Sequence, residues 1–410
     1  MTTLEIVSIL VAIAAIFGWI SARWLRLPIT VGTMLLTVIA SMCLASVGGI
    51  HPGLHAWAVD LVRQIDFQSL ILRGMLPLLL FAGAFLLDLQ ELAREKLAVS
   101  LLSIAGTVIS VFVVAALMFF ASGTGAPLIE CLIFGALISP TDPIAVLEML
   151  RRTGVPKPIQ AQLAGESLFN DGIGAVLFIA LLDVAGGHAP TPFYIGAMLL
   201  VKAGGGIAIG IVAAWATSHL MRRANSYQVD ILLSLALALG GYVLADIAHV
   251  SGPLEAVVAG IALRHCNRCL STERVASETV DGFWKVIDEV QNSLLFVLLG
   301  LEIIAVVLNI RALRAGLAAI LWVSAVRLGT VLLLLALIRR IRPGHRSSVA
   351  ILTWGGLRGG LSIALALSVP QNLGRDWMLG ATYLVVVFSI VIQGGSMDLL
   401  LRSPRLAHIR

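Results

Sequence analysis

Of the 410 residues in this chain, 59% are hydrophobic and only 12% charged, whereas about a quarter of a soluble domain is charged. So little charge cannot coat a water-soluble globule of this length, and a nucleic-acid binder is excluded despite 28 Lys and Arg against 23 Asp and Glu. With a mean hydropathy of +0.99, the chain reads as an all-α polytopic membrane protein, and its basic excess as positive cytoplasmic loops.

In chain order, apolar runs bounded by charges or Gly/Pro loops predict thirteen spans, at about 5–22, 28–50, 68–90, 97–121, 127–149, 160–182, 192–219, 227–247, 252–264, 284–307, 313–338, 347–369 and 377–400. The first is a retained span and not a signal peptide, because Glu5 stands where a basic n-region belongs. Between the second and third spans, residues 54–66 mix Trp57 and Leu61 with Asp60 and Arg63 and read as an interfacial segment. No stretch of the 1–410 chain reads as a soluble domain. Cys266 and Cys269, preceded by His265, resemble half a zinc site. They lack a second ligand pair, so they and Cys43 and Cys131 are expected as reduced thiols, the close pair in a loop.

The basic residues give the orientation. With the N-terminus outside, twenty of them fall in inner connections and only Arg63, Arg311, Arg314 and Arg375 in outer ones, which places the C-terminus in the cytoplasm. Arg73, Lys202, Arg327 and Arg358 remain within spans. There a charge needs a partner or water. Arg73 and Lys202 are expected to snorkel, Arg327 to pair with Asp288 or Glu289, and Glu255 to snorkel from its span end. Trp24, Trp57, Trp322 and Trp377 read as interface anchors.

Span five contains Ser139-Pro140-Thr141-Asp142-Pro143. Neither proline can donate a hydrogen bond, so the carbonyls of Ala136 and Ser139 are freed in mid-membrane beside a carboxylate. A broken helix of this kind suits a cation. Span six carries Glu166, Ser167, Asn170 and Asp171; spacings of four put them in two adjacent rows on one helical sector. Three carboxylates at close range cannot all stay ionised, and they call for a cation, protons or an arginine. Span twelve offers that arginine in Gly355-Gly356-Leu357-Arg358-Gly359-Gly360, whose glycines suit a second discontinuous helix. One interrupted helix in each half of the chain points to an inverted-repeat transporter with a midplane site.

These three runs, Ser139 to Val146, Gly165 to Gly172 and Gly355 to Gly360, resemble the monovalent cation:proton antiporter 1 family, which includes the NhaP-type Na⁺/H⁺ antiporters. Supporting matches are Leu76 to Phe81, Ser251 to Gly260 and Phe296 to Glu302. The resemblance implies a NhaA/NhaP-like antiporter fold of thirteen helices, with inverted repeats and crossing of the two broken spans. It implies a core from about 68–182 and 284–400, a dimerisation domain from the remaining spans, and a homodimer in the plasma or inner membrane. It also implies Na⁺ held by Asp142, Asp171, the Ser167 hydroxyl and the Thr141 carbonyl, with Glu166 reaching it directly or through water. Asn170 then holds the helix crossing, and Arg358 pairs with Glu166. Glu255 departs from the family pattern, where a small apolar residue is usual.

If Arg358 neutralises Glu166, the two aspartates bind either a cation or protons, and that competition is antiport of Na⁺ or Li⁺ against H⁺. Relatives with a second Asp in place of Asn170 tend to be electrogenic, so the resemblance implies one cation per proton here. No cofactor is expected beyond the transported ions. A K⁺/H⁺ antiporter is the alternative within the family, and a cation channel the alternative from another class. An intramembrane aspartyl protease is disfavoured, because Asp171 follows Asn170 and precedes its Gly-Ile-Gly run, the reverse of the protease motif, and Arg358 has no role there.

Overall fold

The structure is a computed structural model of the chain; it describes residues 3–25, 29–47, 66–121, 125–187, 192–224, 226–270, 274–302, 310–342, 345 and 347–402. In hydrocarbon, backbone groups must be satisfied within the segment, and the apolar runs are accordingly helical, with no strand among the described residues. The helices are α1 (Thr3–Ile20), α2 (Ile29–Val47), α3 (Phe67–Phe85), α4 (Leu89–Arg94), α5 (Lys96–Phe120), α6 (Leu128–Ile138), α7 (Ile144–Arg152) and α8 (Lys157–Ala185). They continue with α9 (Pro192–Ala224), α10 (Tyr227–Ile247), α11 (Gly252–Leu270), α12 (Arg274–Glu302), α13 (Ile310–Ile341), α14 (Val349–Gly355), α15 (Gly360–Leu367) and α16 (Arg375–Leu401).

Helix occupies each of the thirteen predicted intervals. By length and composition, eight of the described helices suffice to cross a membrane, and nine if the bent pair α14 and α15 is taken as one span. The other intervals hold shorter, broken or more charged helices. Asp66, Asp88 and Ser348 start α3, α4 and α14 by accepting backbone N–H groups of Ser69, Gln90 and Ile351 at 3.1, 3.1 and 3.3 Å, which satisfies donors the first turn leaves free.

One buried cluster lies where α5, α6, α13 and α16 meet, around Phe134, Trp377, Val111 and Ala319. Another joins α3, α9, α10, α11 and α12 around Phe81, Phe85, Leu237 and Trp284. Glycines set the closest approaches: a Cβ on Gly260 of α11 would stand 2.7 Å from the Phe81 carbonyl oxygen of α3. Outward faces stay apolar, as at Leu200, Val212 and Trp215 on α9 and Leu317, Leu321 and Leu333 on α13, which is what lipid as solvent permits.

Several expectations are corrected. The α11 helix continues to Leu270, so the Cys266–Cys269 pair lies in helix and not in a loop; Cys43, Cys131 and Cys266 are free, and the Cys269 side chain lies outside the description. Trp377 is no interface anchor: it is buried beside Phe134 and its indole N–H donates to Glu130 at 2.9 Å. Lys202, expected to snorkel, pairs with the exposed Asp183 at 3.3 Å. Glu255, expected to reach the span end, is fully buried. Residues 54–65, with Trp57, lie outside the described residues.

Because Gly260 abuts backbone, which cannot yield as a flexible side chain can, Gly260→Leu should destabilise the α3–α11 contact by about 1–3 kcal/mol, read as a lower thermal-unfolding midpoint in detergent.

Candidate ion site

The site forms where two interrupted helices meet. Between α6 and α7 the chain is non-helical at residues 139–143, and between α14 and α15 at residues 356–359. The two breaks satisfy each other. The Asp142 N–H donates to the Leu357 carbonyl at 2.7 Å, and the Arg358 guanidinium donates to the carbonyls of Ser139 and, at 2.9 Å, Pro140. The Ser139 oxygen that Pro143 cannot serve thus finds a charged donor from the other break. Arg358 also stands at the C-terminal end of α6, where the helix dipole favours a cation, whereas Asp142 stands at the N-terminal end of α7, where it favours an anion.

Asp142 caps α7 through the Ile144 N–H, 3.1 Å from Oδ1. Its carboxylate also abuts Gly359, which opens α15, so closely that a Cβ there would collide with it. This is the one position where the second break needs glycine for the site itself.

The α8 helix passes alongside and pins the first break. Asn170 donates through Nδ2 to the Thr141 hydroxyl at 2.8 Å, and its Oδ1 accepts the Thr141 N–H at 3.3 Å. The Ser167 hydroxyl donates to the Thr141 carbonyl. Thr141, Ser167, Asn170 and Glu166 are buried, while Asp142 and Asp171 are partly exposed. Asp171 lies within electrostatic range of both Asp142 and Arg358. The predicted residues Asp142, Asp171, Ser167, Thr141, Asn170 and Arg358 are therefore drawn together around the first break.

Glu166 points elsewhere than expected. Its carboxylate is taken by Arg327 of α13, through Nη1 to Oε1 and through Nη2 to Oε2 at 3.0 Å, and Nη2 also donates to the Leu352 carbonyl of α14 at 2.7 Å. Arg327 thus pairs with neither Asp288 nor Glu289, and Arg358 does not pair with Glu166 directly. The reason is geometric: a guanidinium forms a bidentate pair best with a carboxylate it meets in plane, and Arg358 is already spent on carbonyls. The other break closes down on Arg327, since a Cβ on Gly356 would lie 2.6 Å from Arg327 Nε.

Arg327 is conspicuous in the sequence as an intramembrane charge, but its partner is not. Nor does the sequence announce Ser389, whose hydroxyl accepts the Arg358 N–H at 2.9 Å and donates to Gln393 at 2.6 Å. Ser389 sits in a π-helical stretch of α16, Phe388–Gly394, a local widening that functional sites often carry and that no short motif announces. Asp288 of α12 is a further carboxylate within electrostatic range of Asp142. Among the described residues no cluster of His, Cys, Asp and Glu forms a metal cage. Oxygen donors of this kind suit a hard cation and not a soft metal.

Because both members of the Glu166–Arg327 pair are buried, Arg327→Met alone should cost about 3–5 kcal/mol. The double change Arg327→Met with Glu166→Met should recover much of it; thermal unfolding of the two variants in detergent checks this.

The family model described as "Sodium/hydrogen exchanger, transmembrane" matches residues 11–403. The Na⁺/H⁺ antiporter NhaP of Pseudomonas aeruginosa is 39% identical over 408 residues, covering 97% of this chain and 96% of the relative. The Na⁺/H⁺ antiporter NhaH of Halobacillus dabanensis is 33% identical over 342 residues, covering 80% and 81%. The solved structure of the sodium proton antiporter MjNhaP1 from Methanocaldococcus jannaschii superposes with a TM-score of 0.72 at 18% identity, covering 98% of each chain. Extending over nearly all of the chain, these matches show that it belongs to the sodium/hydrogen exchanger family and has the antiporter fold.

Proposed function

We propose that this protein exchanges Na⁺ or Li⁺ for H⁺ across a membrane, with the cation and the proton competing for Asp142 and Asp171. The observation that carries the reading is the division of charge in the site. Glu166 is neutralised by Arg327 and Arg358 is spent on the carbonyls of Ser139 and Pro140, which leaves two partly exposed aspartates without a direct side-chain cation. Two such acids at close range need a cation or protons to balance them. The printed activities of the relatives NhaP and NhaH support the same exchange.

In the bound state, Asp142 and Asp171 supply carboxylate oxygens, and the Ser167 hydroxyl and Thr141 carbonyl supply neutral ones. Glu166 and Asn170 hold these ligands in place, Glu166 through Arg327 and Asn170 through Thr141. The neutral Asn170 makes the exchange one cation for one proton and so electroneutral. Alternating access then follows from movement of the broken-helix unit against the rest, in a homodimer whose C-terminus faces the cytoplasm; the base-rich inner connections support that orientation.

The test is collapse of an imposed pH gradient in vesicles on adding Na⁺ or Li⁺. Asp142→Asn and Asp171→Asn should each abolish it, and retention of full activity in Asp171→Asn would overturn the site. Wild-type exchange should not respond to an imposed voltage at constant ion gradients, whereas Asn170→Asp, adding a third titratable group, should make it do so.

A further inference from the structure

Glu255, in the first turn of α11, is fully buried, and both of its carboxylate oxygens lack a hydrogen-bond partner among the described residues. It belongs to none of the elements that meet at the broken helices. Three glycines form the cradle around it. On α9, Gly206 faces the Ser251 carbonyl and the Glu255 N–H, and a Cβ on Gly210 would stand 2.8 Å from the Glu255 carbonyl oxygen. On α10, Gly241 abuts the carboxylate itself, and any Cβ there would collide with Oε1. Gly206 and Gly210 thus bring α9 against the α11 backbone and Gly241 brings α10 against the carboxylate, with nothing there for it to bond to.

The nearby polar groups make their hydrogen bonds elsewhere. The Tyr242 hydroxyl of α10 donates to the Leu72 carbonyl at 3.2 Å. The Ser251 Oγ accepts the Leu254 N–H at 3.3 Å, and the Ser251 N–H donates to the Lys202 carbonyl at 3.0 Å. Among the described residues no basic group meets the Glu255 carboxylate. On α10 the titratable groups are Tyr227, Asp230, Tyr242 and Asp246. On α9, Lys202 is paired with Asp183 of α8 at 3.3 Å, and His219, Arg222 and Arg223 follow Gly210 by about two and a half turns or more. On α8 they are Lys157, Glu166, Asp171 and Asp183, with Glu166 held by Arg327. Arg264 of α11 itself is paired with Asp281. Arg73 of α3 is exposed and its charge reaches Tyr242, while the Leu76–Phe85 part of α3 carries none. A carboxylate anion in this cradle would lose its water with no compensating donor.

We propose that Glu255 is a proton-binding site separate from the ion pocket: the closed α9–α10–α11 cradle accepts only its neutral carboxylic acid, and the proton leaves to water when the cradle opens. Its neighbour Leu254 fills the notch at Gly172, where a Cβ would lie 2.7 Å from Leu254 Cδ2, and Gly172 follows Asp171. Proton occupancy at Glu255 therefore supports the contact between α11 and the helix that carries Asp171.

The sign of the pH effect follows from linkage. The folded protein holds a proton that the unfolded chain releases at neutral pH, so stability falls as pH rises. Purified wild type, Glu255→Gln and Glu255→Met should be compared by thermal unfolding from mildly acidic to alkaline pH. Both variants should fold, and the wild-type midpoint should fall by about 2 °C or more beyond that of either variant. At neutral pH the infrared carbonyl band of a protonated carboxylic acid should be present in wild type and reduced in Glu255→Gln. Parallel unfolding curves with unchanged infrared spectra would overturn the proposal. So would failure of both variants to fold, since that would mean the structure needs the anion.

Discussion

The structure depends on one constraint: in an apolar medium every backbone group released from a helix must find another partner. Two helices are interrupted, and each interruption supplies what the other lacks. The Asp142 N–H goes to the Leu357 carbonyl, and the Ser139 and Pro140 carbonyls take the Arg358 guanidinium. Neither break would be tolerable alone, because an unpaired peptide group in hydrocarbon costs several kcal/mol. Meeting, they place a carboxylate and the peptide groups of both breaks at one point without a penalty that the rest of the fold must offset.

Charge is then distributed around that point by packing. The α8 helix carries Glu166, Ser167, Asn170 and Asp171, but its turns face different partners. Glu166 is turned toward α13, where Arg327 holds it and also ties down α14 through the Leu352 carbonyl. Asn170 and Ser167 are turned toward Thr141. Glu166 and Arg327 are thereby paired and buried, while Asp142 and Asp171 stay partly exposed. On the proposed mechanism that difference matters, since a group fixed in an ion pair cannot swap a proton for a cation.

Much of this was legible from the chain because the signals are local. Apolar runs marked the helical intervals, two prolines flanking Asp142 marked the first break, and four glycines around Arg358 marked the second. Spacings of four on α8 put its polar residues on one sector. What could not be read was which arginine meets which acid. Arg327 and Glu166 are 161 residues apart, and only the packing of α13 against α14 and α8 brings them into one plane. Ser389 was hidden for a related reason: a π-helical stretch changes which side chains face inward without changing composition. Trp377 and Glu255 were assigned to span ends by rules that hold on average, and the neighbouring helices buried both.

The central claim is that cation and proton exclude one another at the aspartate pair. It is tested most directly by titrating Na⁺ into the purified protein in buffers of different ionisation enthalpy, which counts the protons released per ion bound. Wild type should release about one proton for each Na⁺, by the reciprocity of linked binding, and Asp171→Asn should bind Na⁺ weakly with little release. Tight Na⁺ binding with no proton released from wild type would contradict the account.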